Sequence, residues 1–234
     1  MKNIVLVGAS GHAHAVIEAV EREGKYRIVG VIDTFKPVGH ICLGHAVLGG
    51  EALLPDLIRQ YEISGAVVAI GDNWVRHLFV ERIRSIVPDL PFLTAIHPSA
   101  QIARSARVGA GSVILPGAIV CANGVIGEFC IVNTRASLDH DGRMEDFSSI
   151  APAVTTGGMV VIKQFAAVML GVNISHSVCI GEHSVVGAGS LVLKDLPAFV
   201  VAYGSPAKVV RTRQPGDPYM GGSSHATGTP AHAI

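Results

Sequence analysis

Three consecutive side chains, Asp139, His140 and Asp141, form the group in this chain that is best suited to catalysis. Imidazole titrates close to neutral pH, so a histidine can take a proton from a nucleophile while the new bond forms. A carboxylate beside the ring can hold it in one tautomer and raise its basicity. The motif therefore indicates a general base at His140 with a neighbouring carboxylate as its partner.

A second candidate site is the segment Gly8-Ala-Ser-Gly-His-Ala13, which follows a short apolar run. Glycines allow a tight turn into a helix, and the first N–H groups of that helix suit an anion or a phosphate. Ser10 stands where the dinucleotide fingerprint G-x-G-x-x-G has its second glycine, which disfavours an NAD site. A tight turn without any ligand is the alternative interpretation.

The first 95 residues alternate short apolar runs with amphipathic stretches. We predict strands at residues 3–7, 27–32 and 66–70, and helices that run to about residue 24 and over 49–61 and 74–86. This order is typical of a small Rossmann-like α/β domain with a parallel sheet, where ligands bind beyond the carboxyl ends of the strands. The candidate binding residues at such ends are Gly8, Gly11, Asp33 and Gly71.

From Ile96 to Pro197 the chain can be written as seventeen unbroken hexads. The first position is Ile, Val, Leu or Met except at Thr156, and the fifth is small or β-branched except at Leu196. A period of six fits neither an α-helix nor an alternating strand. It fits a parallel β-helix, in which each flat face takes six residues and three faces close one coil. We therefore predict an all-β domain of between five and six coils.

A zinc site is an alternative role for His140. The γ-type carbonic anhydrases are β-helices whose three zinc-binding histidines are spaced thirty-six and then five residues apart. His140 and His176 have the first spacing, but the third position is Gly181, and His183 falls out of register. Because a catalytic zinc needs three protein ligands and a water, we expect no metal here and place His176 on the coil surface.

The composition narrows the class of protein. Eighteen basic residues balance eighteen acidic ones, which argues against nucleic acid or an anionic membrane as a partner. We expect neither a signal peptide nor a membrane span, because no apolar run reaches eighteen residues. The four cysteines show no CxxC spacing, so we expect free thiols and a cytoplasmic location.

The order of motifs, from GASGHA through VIDT and AIGDN to the hexads and a final GSPAK, resembles one family. It is similar to the bacterial nucleotide-aminosugar N-acetyltransferases and their sialic acid O-acetyltransferase relatives, which are hexapeptide acyltransferases. The resemblance covers about residues 2–211. It implies left-handed coils, acetyl-CoA as co-substrate on the β-helix, a nucleotide sugar on the N-terminal domain, and a homotrimer.

The resemblance also implies roles for individual residues of the acceptor site. The phosphates or sugar would meet Ser10, Gly11 and His12. The nucleotide base would meet Asp33 and Thr34. Asp72 and Asn73 would line the same cleft.

For the transfer itself, the resemblance implies that His140 is the general base and that Asp141, in preference to Asp139, orients it. The thioester carbonyl would be held by the backbone N–H of Gly158 and by Ser149. The family often has histidine at the latter position, so the serine is a departure. The coenzyme arm and its phosphates would lie along Leu170, Ala188 and Lys208.

We therefore expect an N-acetyltransferase that uses acetyl-CoA to modify a UDP-, GDP- or dTDP-linked 4-amino-4,6-dideoxysugar for surface polysaccharide or glycan biosynthesis. A sialic acid O-acetyltransferase is the main alternative. The zinc enzyme considered above and a non-catalytic sugar-nucleotide binder are more distant ones. The expected organisation is a nucleotide-sugar domain over 1–95, a β-helix over 96–211 and a flexible tail over 212–234. His40, His45, His77 and His97 are expected to face solvent or lie in loops, with no role.

Overall fold

The computed structural model describes residues 1–220 of the 234-residue chain. The first part is a five-stranded sheet with the strand order β3-β4-β2-β1-β5, in which β1, β2, β4 and β5 are parallel. Its strands are β1 Lys2–Val7, β2 Tyr26–Ile32, β3 Ile41–Cys42, β4 His45–Gly49 and β5 Ile63–Val68. Residues 4–7 of β1 are fully buried, because both faces of the central strand are covered.

Three α-helices pack on this sheet: α1 Gly11–Glu23, α2 Leu54–Tyr61 and α3 Asn73–Ile86. Helix α1 ends at Gly24, whose left-handed conformation at φ 68° lets its N–H donate to the Val20 carbonyl oxygen. Helix α3 begins after Asp72, whose carboxylate accepts hydrogen bonds from the next two free amides, those of Trp74 and Val75. The Asp72 cap sets the start of α3 beside the carboxyl edge of the sheet, where the candidate binding residues lie, whereas Gly24 ends α1 at the opposite edge, before β2 begins.

The structure confirms the predicted α/β fold but differs in detail. The antiparallel hairpin of β3 and β4 was not predicted, because its strands are short and lie in a stretch interrupted by glycines. The predicted helix over 49–61 is split, since β4 extends to Gly49 and a 3₁₀ turn, Glu51–Leu53, precedes α2. Strand β5 begins three residues before the predicted start at residue 66.

The second part is a parallel β-helix, as the hexads predicted, and it is left-handed, as the family resemblance implied. Its seventeen strands have two residues each and pair with the strand one coil away, eighteen residues along the chain, as Ile131 pairs with Ser149. The strands are β6 Ala95–Ile96, β7 Gln101–Ile102, β8 Arg107–Val108, β9 Val113–Ile114, β10 Ile119–Val120, β11 Val125–Ile126, β12 Ile131–Val132, β13 Ser137–Leu138, β14 Arg143–Met144, β15 Ser149–Ile150, β16 Thr155–Thr156, β17 Val161–Ile162, β18 Ala167–Val168, β19 Asn173–Ile174, β20 Cys179–Ile180, β21 Val185–Val186 and β22 Leu191–Val192.

These strands form three faces. The first face contains every third strand from β6 to β21, the second those from β7 to β22, and the third those from β8 to β20. The core between them is built from the first hexad position, which is buried from Ile114 to Val192. Each such aliphatic side chain stabilises the fold by roughly 1.5–3 kcal/mol relative to an exposed one. The exception to aliphatic character, Thr156, is also buried, and its hydroxyl oxygen accepts a hydrogen bond from the Asp139 backbone N–H at 3.0 Å.

A ladder of stacked rings lines the corner between the third and first faces. Its neighbouring ring centroids are 4.5–5.4 Å apart, and its members are Phe129, Phe147, Phe165, His183 and Phe199. Helix α3 packs against this ladder. His77, expected to face solvent, instead lies edge-on to the rings of Phe147 and Phe165, and this expectation was wrong.

Buried Arg76 of α3 fastens the two parts together. Its guanidinium donates to the carbonyl oxygens of Phe129 and Phe147 on the β-helix, at 2.8 and 3.1 Å. It also donates to the carbonyl oxygens of Ile70 and Gly71, and to the Asn73 side chain. These bonds satisfy a charge that would otherwise be costly to bury.

The chain then forms an antiparallel hairpin of β23 Val200–Gly204 and β24 Ala207–Thr212, which extends the first face. Residues 213–220 fold back onto that face, in contrast to the flexible tail expected from residue 212. The rest of that expected tail, residues 221–234, lies outside the described residues. Within residues 1–220, no helix has the length and apolar character needed to cross a membrane.

Candidate active site

His140 lies at the corner between the second and third faces, immediately after β13. Its ring Nδ1 is 2.8 Å from the Asp141 carboxylate, and the other oxygen of that carboxylate accepts a hydrogen bond from the Asn123 side chain at 3.0 Å. The Asp139 carboxylate instead accepts the backbone N–H of His140 at 2.7 Å. The geometry therefore pairs the ring with Asp141, and Asp139 supports the turn.

These contacts shift both titrations. The hydrogen bond with Asp141, followed by the charge of Asp139, raises the pKa of His140 above its ordinary value. The same bond with His140, followed by that with Asn123, lowers the pKa of the Asp141 carboxyl. An ionised carboxylate bonded to Nδ1 places the ring proton on that nitrogen, which leaves the Nε2 lone pair open to accept a proton.

Gly158 lies one coil further along, directly beneath the His140 ring. A Cβ at this position would overlap Nε2, so only glycine allows this approach. Among residues 1–220 the Gly158 amide N–H donates to no carbonyl or side chain, while the carbonyl oxygen of the same residue accepts from Ser177. An unpaired N–H beside the reactive nitrogen is suited to stabilise a developing oxyanion.

A separate cleft of about 310 Å³ lies between the α/β part and the first face. It brings together Ser10, His12 and Gly71 from the sheet edge with Ser149 and Leu170 from the coils. Gly11 is exposed beside it, at the start of α1. The first turn of α1 has no preceding turn to supply acceptors for its amides, so these groups are available to an anion.

His12 lies half-buried at the floor of this cleft. Burial, and secondarily the charge of Arg76, lower the pKa of His12 to about 4, so the ring is neutral at pH 7. Its Nε2 is buried without a hydrogen-bond partner in the described part of the chain. A neutral imidazole with an unused nitrogen is a polar group poised to meet a ligand.

Asp33 and Thr34, predicted to meet a nucleotide base, are both engaged within the protein. The Asp33 carboxylate accepts hydrogen bonds from the amides of Ala9, Phe35 and Lys36, at 2.8, 2.8 and 3.0 Å. The Thr34 hydroxyl donates to Glu51, whose pKa is lowered despite burial by this bond and by those with its own backbone N–H and Arg82. Both side chains therefore hold the loops that border the site.

Asp72 and Asn73, predicted to line the same cleft, are engaged at the start of α3. The Asp72 carboxylate is used by the N-terminus of α3. Asn73 is only 1% exposed, and its side-chain amide donates to the carbonyl oxygens of Phe165 and Ala166. The polar atoms of its side chain are thus occupied at the junction of the two parts, while its backbone N–H donates to the hydroxyl of Tyr219, which lines the cleft.

A groove of about 510 Å³ continues along the first face from the cleft. It contains Ala188, as expected for the coenzyme arm, together with Arg211 and residues 218–220. Lys208 is exposed on β24, opposite Tyr203. Sequence reasoning missed residues 218–220, because a stretch rich in Gly, Ser and Pro carries no hydrophobic period.

Asn123 was also missed, although a signal existed. It precedes Asp141 by eighteen residues, the length of one coil, so the two side chains occupy the same position of adjacent coils. His140 and Gly158 are related in the same way. By contrast, no three His, Cys, Asp or Glu side chains within residues 1–220 lie close enough together to hold a metal ion.

The protein has an α/β domain followed by left-handed coils, with a histidine–carboxylate pair at a coil corner. These features define its class as the β-helical acyltransferases. Residues 3–83 match the family of the PglD N-terminal domain. The chain belongs to the PglD-like family of sugar-nucleotide N-acetyltransferases.

Solved structures support this membership over nearly the whole chain. A histidine-to-alanine mutant of GDP-perosamine N-acetyltransferase from Caulobacter crescentus, in complex with CoA and GDP-perosamine, is 34% identical, with a TM-score of 0.85. The similarity covers 90% of this chain and 98% of that one. The acetyltransferase domain of PglB from Neisseria gonorrhoeae, in complex with acetyl coenzyme A, is 30% identical over 89% of this chain and 99% of that one, with a TM-score of 0.82.

Among curated proteins, UDP-N-acetylbacillosamine N-acetyltransferase of Bacillus subtilis is 35% identical over 121 residues. That match covers 49% of this chain and 52% of the relative, so it spans about half the length of each protein.

Proposed function

We propose that this protein is an acetyl-CoA-dependent N-acetyltransferase whose acceptor is the amino group of a nucleotide-linked 4-amino-4,6-dideoxysugar. The observation that carries the proposal is the His140–Asp141 pair, with Nε2 of the ring free and facing the unpaired Gly158 N–H. The Caulobacter and Bacillus relatives act on sugars of this kind. The product would serve surface polysaccharide or glycan biosynthesis, from a cytoplasmic location where acetyl-CoA is available.

The transfer requires a proton acceptor because an amine must lose a proton as it becomes an amide. In the proposed step the amine nitrogen attacks the thioester carbonyl while Nε2 of His140 takes a proton from the amine. Asp141 keeps the other ring nitrogen protonated and stabilises the cation that forms. The tetrahedral intermediate then collapses, the C–S bond breaks, and the departing thiolate takes the proton from Nε2, which gives free CoA and restores the neutral ring.

The negative charge on the carbonyl oxygen of that intermediate needs donors. We assign this role to the Gly158 N–H, and we assign a second contact to Ser149, which lines the cleft. A serine hydroxyl can donate a hydrogen bond, but unlike a histidine it cannot carry a positive charge.

The nucleotide sugar would bind at the first turn of α1, where the free amides after Ser10 face its phosphates. His12 would offer its unused ring nitrogen from the cleft floor. We propose that Asp33 and Thr34 contribute to the base site by fixing the bordering loop. The pantetheine arm of acetyl-CoA would pass Leu170 and Ala188, and exposed Lys208 would meet the phosphates of the coenzyme.

We further propose a homotrimer, because one chain carries the two halves of the site on opposite sides of a coil. His140 occupies the corner between the second and third faces, whereas the cleft with Ser149 lies on the first face, which is opposite. Three copies around a common axis would set the His140 corner of one copy against the cleft of the next.

The test is to follow thiol release from acetyl-CoA with a panel of UDP-, GDP- and dTDP-linked 4-amino-4,6-dideoxysugars, with sialic acids included. We expect turnover on one amino sugar and a fall in kcat of about 10²–10⁴-fold in His140→Ala, with CoA affinity unchanged. His14→Ala, which removes an exposed histidine of α1, is the matched control. Turnover on sialic acids alone, or near-normal turnover in His140→Ala, would contradict the proposal.

A further inference from the structure

Residues 213–220, here named the C-terminal strap, are held firmly against the first face. Arg213 is only 5% exposed, and its backbone N–H donates to the Phe199 carbonyl oxygen at 2.8 Å. Its guanidinium donates to the carbonyl oxygens of His183 and Asp217, and it lies 5.5 Å from the centroid of the Tyr219 ring. This one side chain therefore ties both ends of the strap to the end of the ring ladder.

The middle of the strap is a tight turn. The Gln214 amide donates to the Asp217 carboxylate at 2.9 Å, and the Asp217 amide donates back to the Gln214 carbonyl oxygen at 3.2 Å. Gly216 has φ of 82°, and a Cβ there would lie 3.1 Å from the Trp74 ring. Glycine thus permits both the turn and its close approach to α3.

The turn directs Tyr219 and Met220 back to the candidate site. The Tyr219 hydroxyl accepts the Asn73 amide of α3 at 2.8 Å, and burial raises the pKa of this phenol to about 12. The Met220 methyl lies beside Gly71 and the His12 ring, since a Cβ on Gly71 would come within 3.3 Å of it.

Tyr219, Met220 and Met169 line both the cleft and the groove, and therefore stand where the two cavities meet. Leu170 lies in the cleft and Ala188 in the groove. A flexible chain that passes both of these residues must cross the apolar surface of the strap. Among the residues that the structure describes, no charged side chain lines the cleft, and Arg211 is the only one that lines the groove.

We infer that Tyr219 and Met220 are positioning residues that form the wall of the pantetheine channel and direct the thioester from the groove into the cleft. This inference rests on the proposed function, because it requires that acetyl-CoA binds along the first face. A fixed wall reduces the conformational freedom that the long arm must lose on binding, and so increases its affinity. The thioether of Met220 and the Tyr219 ring suit an arm made largely of methylene and amide groups.

The inference is tested by calorimetric titration of the full-length chain with CoA. Met220→Ala removes half-exposed apolar surface from the wall, and we expect the Kd for CoA to rise about fivefold to tenfold. Tyr219→Ala should weaken binding at least as much, whereas Tyr219→Phe keeps the ring and should bind CoA nearly as well as the wild type. Leu78→Ala, which shortens a similarly exposed side chain on α3, is the matched control.

A second measurement separates a channel wall from a general loss of structure. Met220→Ala should leave the melting temperature of the ligand-free protein unchanged, and its effect on CoA affinity should add to that of Lys208→Ala, since the two residues would meet different parts of the coenzyme. Unchanged CoA affinity in both Met220→Ala and Tyr219→Ala would overturn the inference, as would a loss confined to sugar-nucleotide binding. If the wild-type chain does not bind CoA, the proposed function itself fails.

Discussion

At the scale of single residues, the reactivity of His140 depends on contacts at opposite edges of its ring. Asp141 engages Nδ1 and is itself held by Asn123, so the ring plane is fixed from one side. Gly158 leaves space and an unpaired N–H at the other side. The proposed base and the proposed oxyanion donor are thus set by one coil spacing, and neither depends on a long flexible side chain.

The pH dependence of the reaction should report the Asp141 contact. Only neutral His140 can accept a proton, so kcat/KM should rise with pH through the His140 pKa, which Asp141 and Asp139 raise above its ordinary value. In Asp141→Asn this rise should move to lower pH, because the charge and the strong acceptor are lost. The plateau should also fall about tenfold or more, because the ring proton is no longer held on Nδ1.

The measurement is a pH profile of kcat/KM for the wild type and Asp141→Asn. Asn123→Ala provides the control, since it keeps both carboxylates and should move the profile much less. A profile that shifts to higher pH in Asp141→Asn would be inconsistent with the assigned pairing.

At the scale of elements, α3 connects the two parts of the chain through polar and aromatic contacts together. Arg76 has no carboxylate partner within residues 1–220, and its donors are satisfied by main-chain carbonyl oxygens and Asn73. Because Arg76 bonds to carbonyl groups at particular coil corners, α3 can pack against the β-helix at only one position along its axis. The cleft between sheet edge and first face takes its width from this junction.

The ring ladder beside α3 contains one titratable member, which gives stability a dependence on pH. Burial, and secondarily the charge of Arg213, lower the pKa of His183 below its ordinary value near 6.5. The folded state therefore favours the neutral ring. Full stability is present above the unfolded pKa and is lost as pH falls towards the folded pKa.

His183→Phe should reduce this loss. Phenylalanine already occupies equivalent left-handed corners at Phe147 and Phe165, with φ of 57° and 60°, so the substitution fits the backbone at φ 55°. We expect a smaller difference in the free energy of unfolding between pH 7 and pH 5 than in the wild type, measured by urea denaturation. His12 titrates in both proteins and cancels in the comparison; an equal or larger difference in the variant would refute the argument.

A contact could be predicted from the sequence only where the spacing of the repeat determines which residues are neighbours. The hexads predicted the coils because every coil repeats the same inward positions, and the same repeat makes the Asn123–Asp141 contact readable in retrospect. The turn after β1 was predicted from its glycines. The side-chain contacts of Asn73 could not be predicted, because its partners, the carbonyl oxygens of Phe165 and Ala166, lie 92 and 93 residues away in another part of the fold. The strap escaped prediction for the same reason, since Arg213 and Tyr219 are held by distant main-chain groups.

At the scale of the whole molecule, the separation of His140 from the cleft predicts complementation between inactive variants. His140→Ala lacks the proposed base, and Ser10→Trp fills the cleft, so each variant alone should be inactive. Under the proposed threefold assembly, co-expression of the two variants should produce some sites that take an intact His140 from one copy and an intact cleft from the next. About one quarter of the wild-type activity should return in the unfractionated mixture, and about one third in assemblies that contain both variants.

Two different affinity tags allow the mixed assemblies to be purified and assayed for thiol release. Mixing the separately folded variants without exchange of chains should restore nothing, and this serves as the control. Mixed assemblies that stay inactive would show that one chain holds a whole site, and a monomer in sedimentation would exclude the threefold assembly directly.

The repeat of eighteen residues also means that distances along the β-helix axis come in fixed steps. Neighbouring coils are separated by one strand spacing, about 4.8 Å, so the height between the His140 corner and the β23–β24 hairpin can change only in whole steps. An insertion of one whole coil would preserve the strand pairing and yet move Lys208 and the C-terminal strap one step further from His140. The length of the donor molecule therefore has to match a whole number of coils. An insertion that is shorter or longer than one coil would break the strand register and could not adjust the distance between His140 and Lys208.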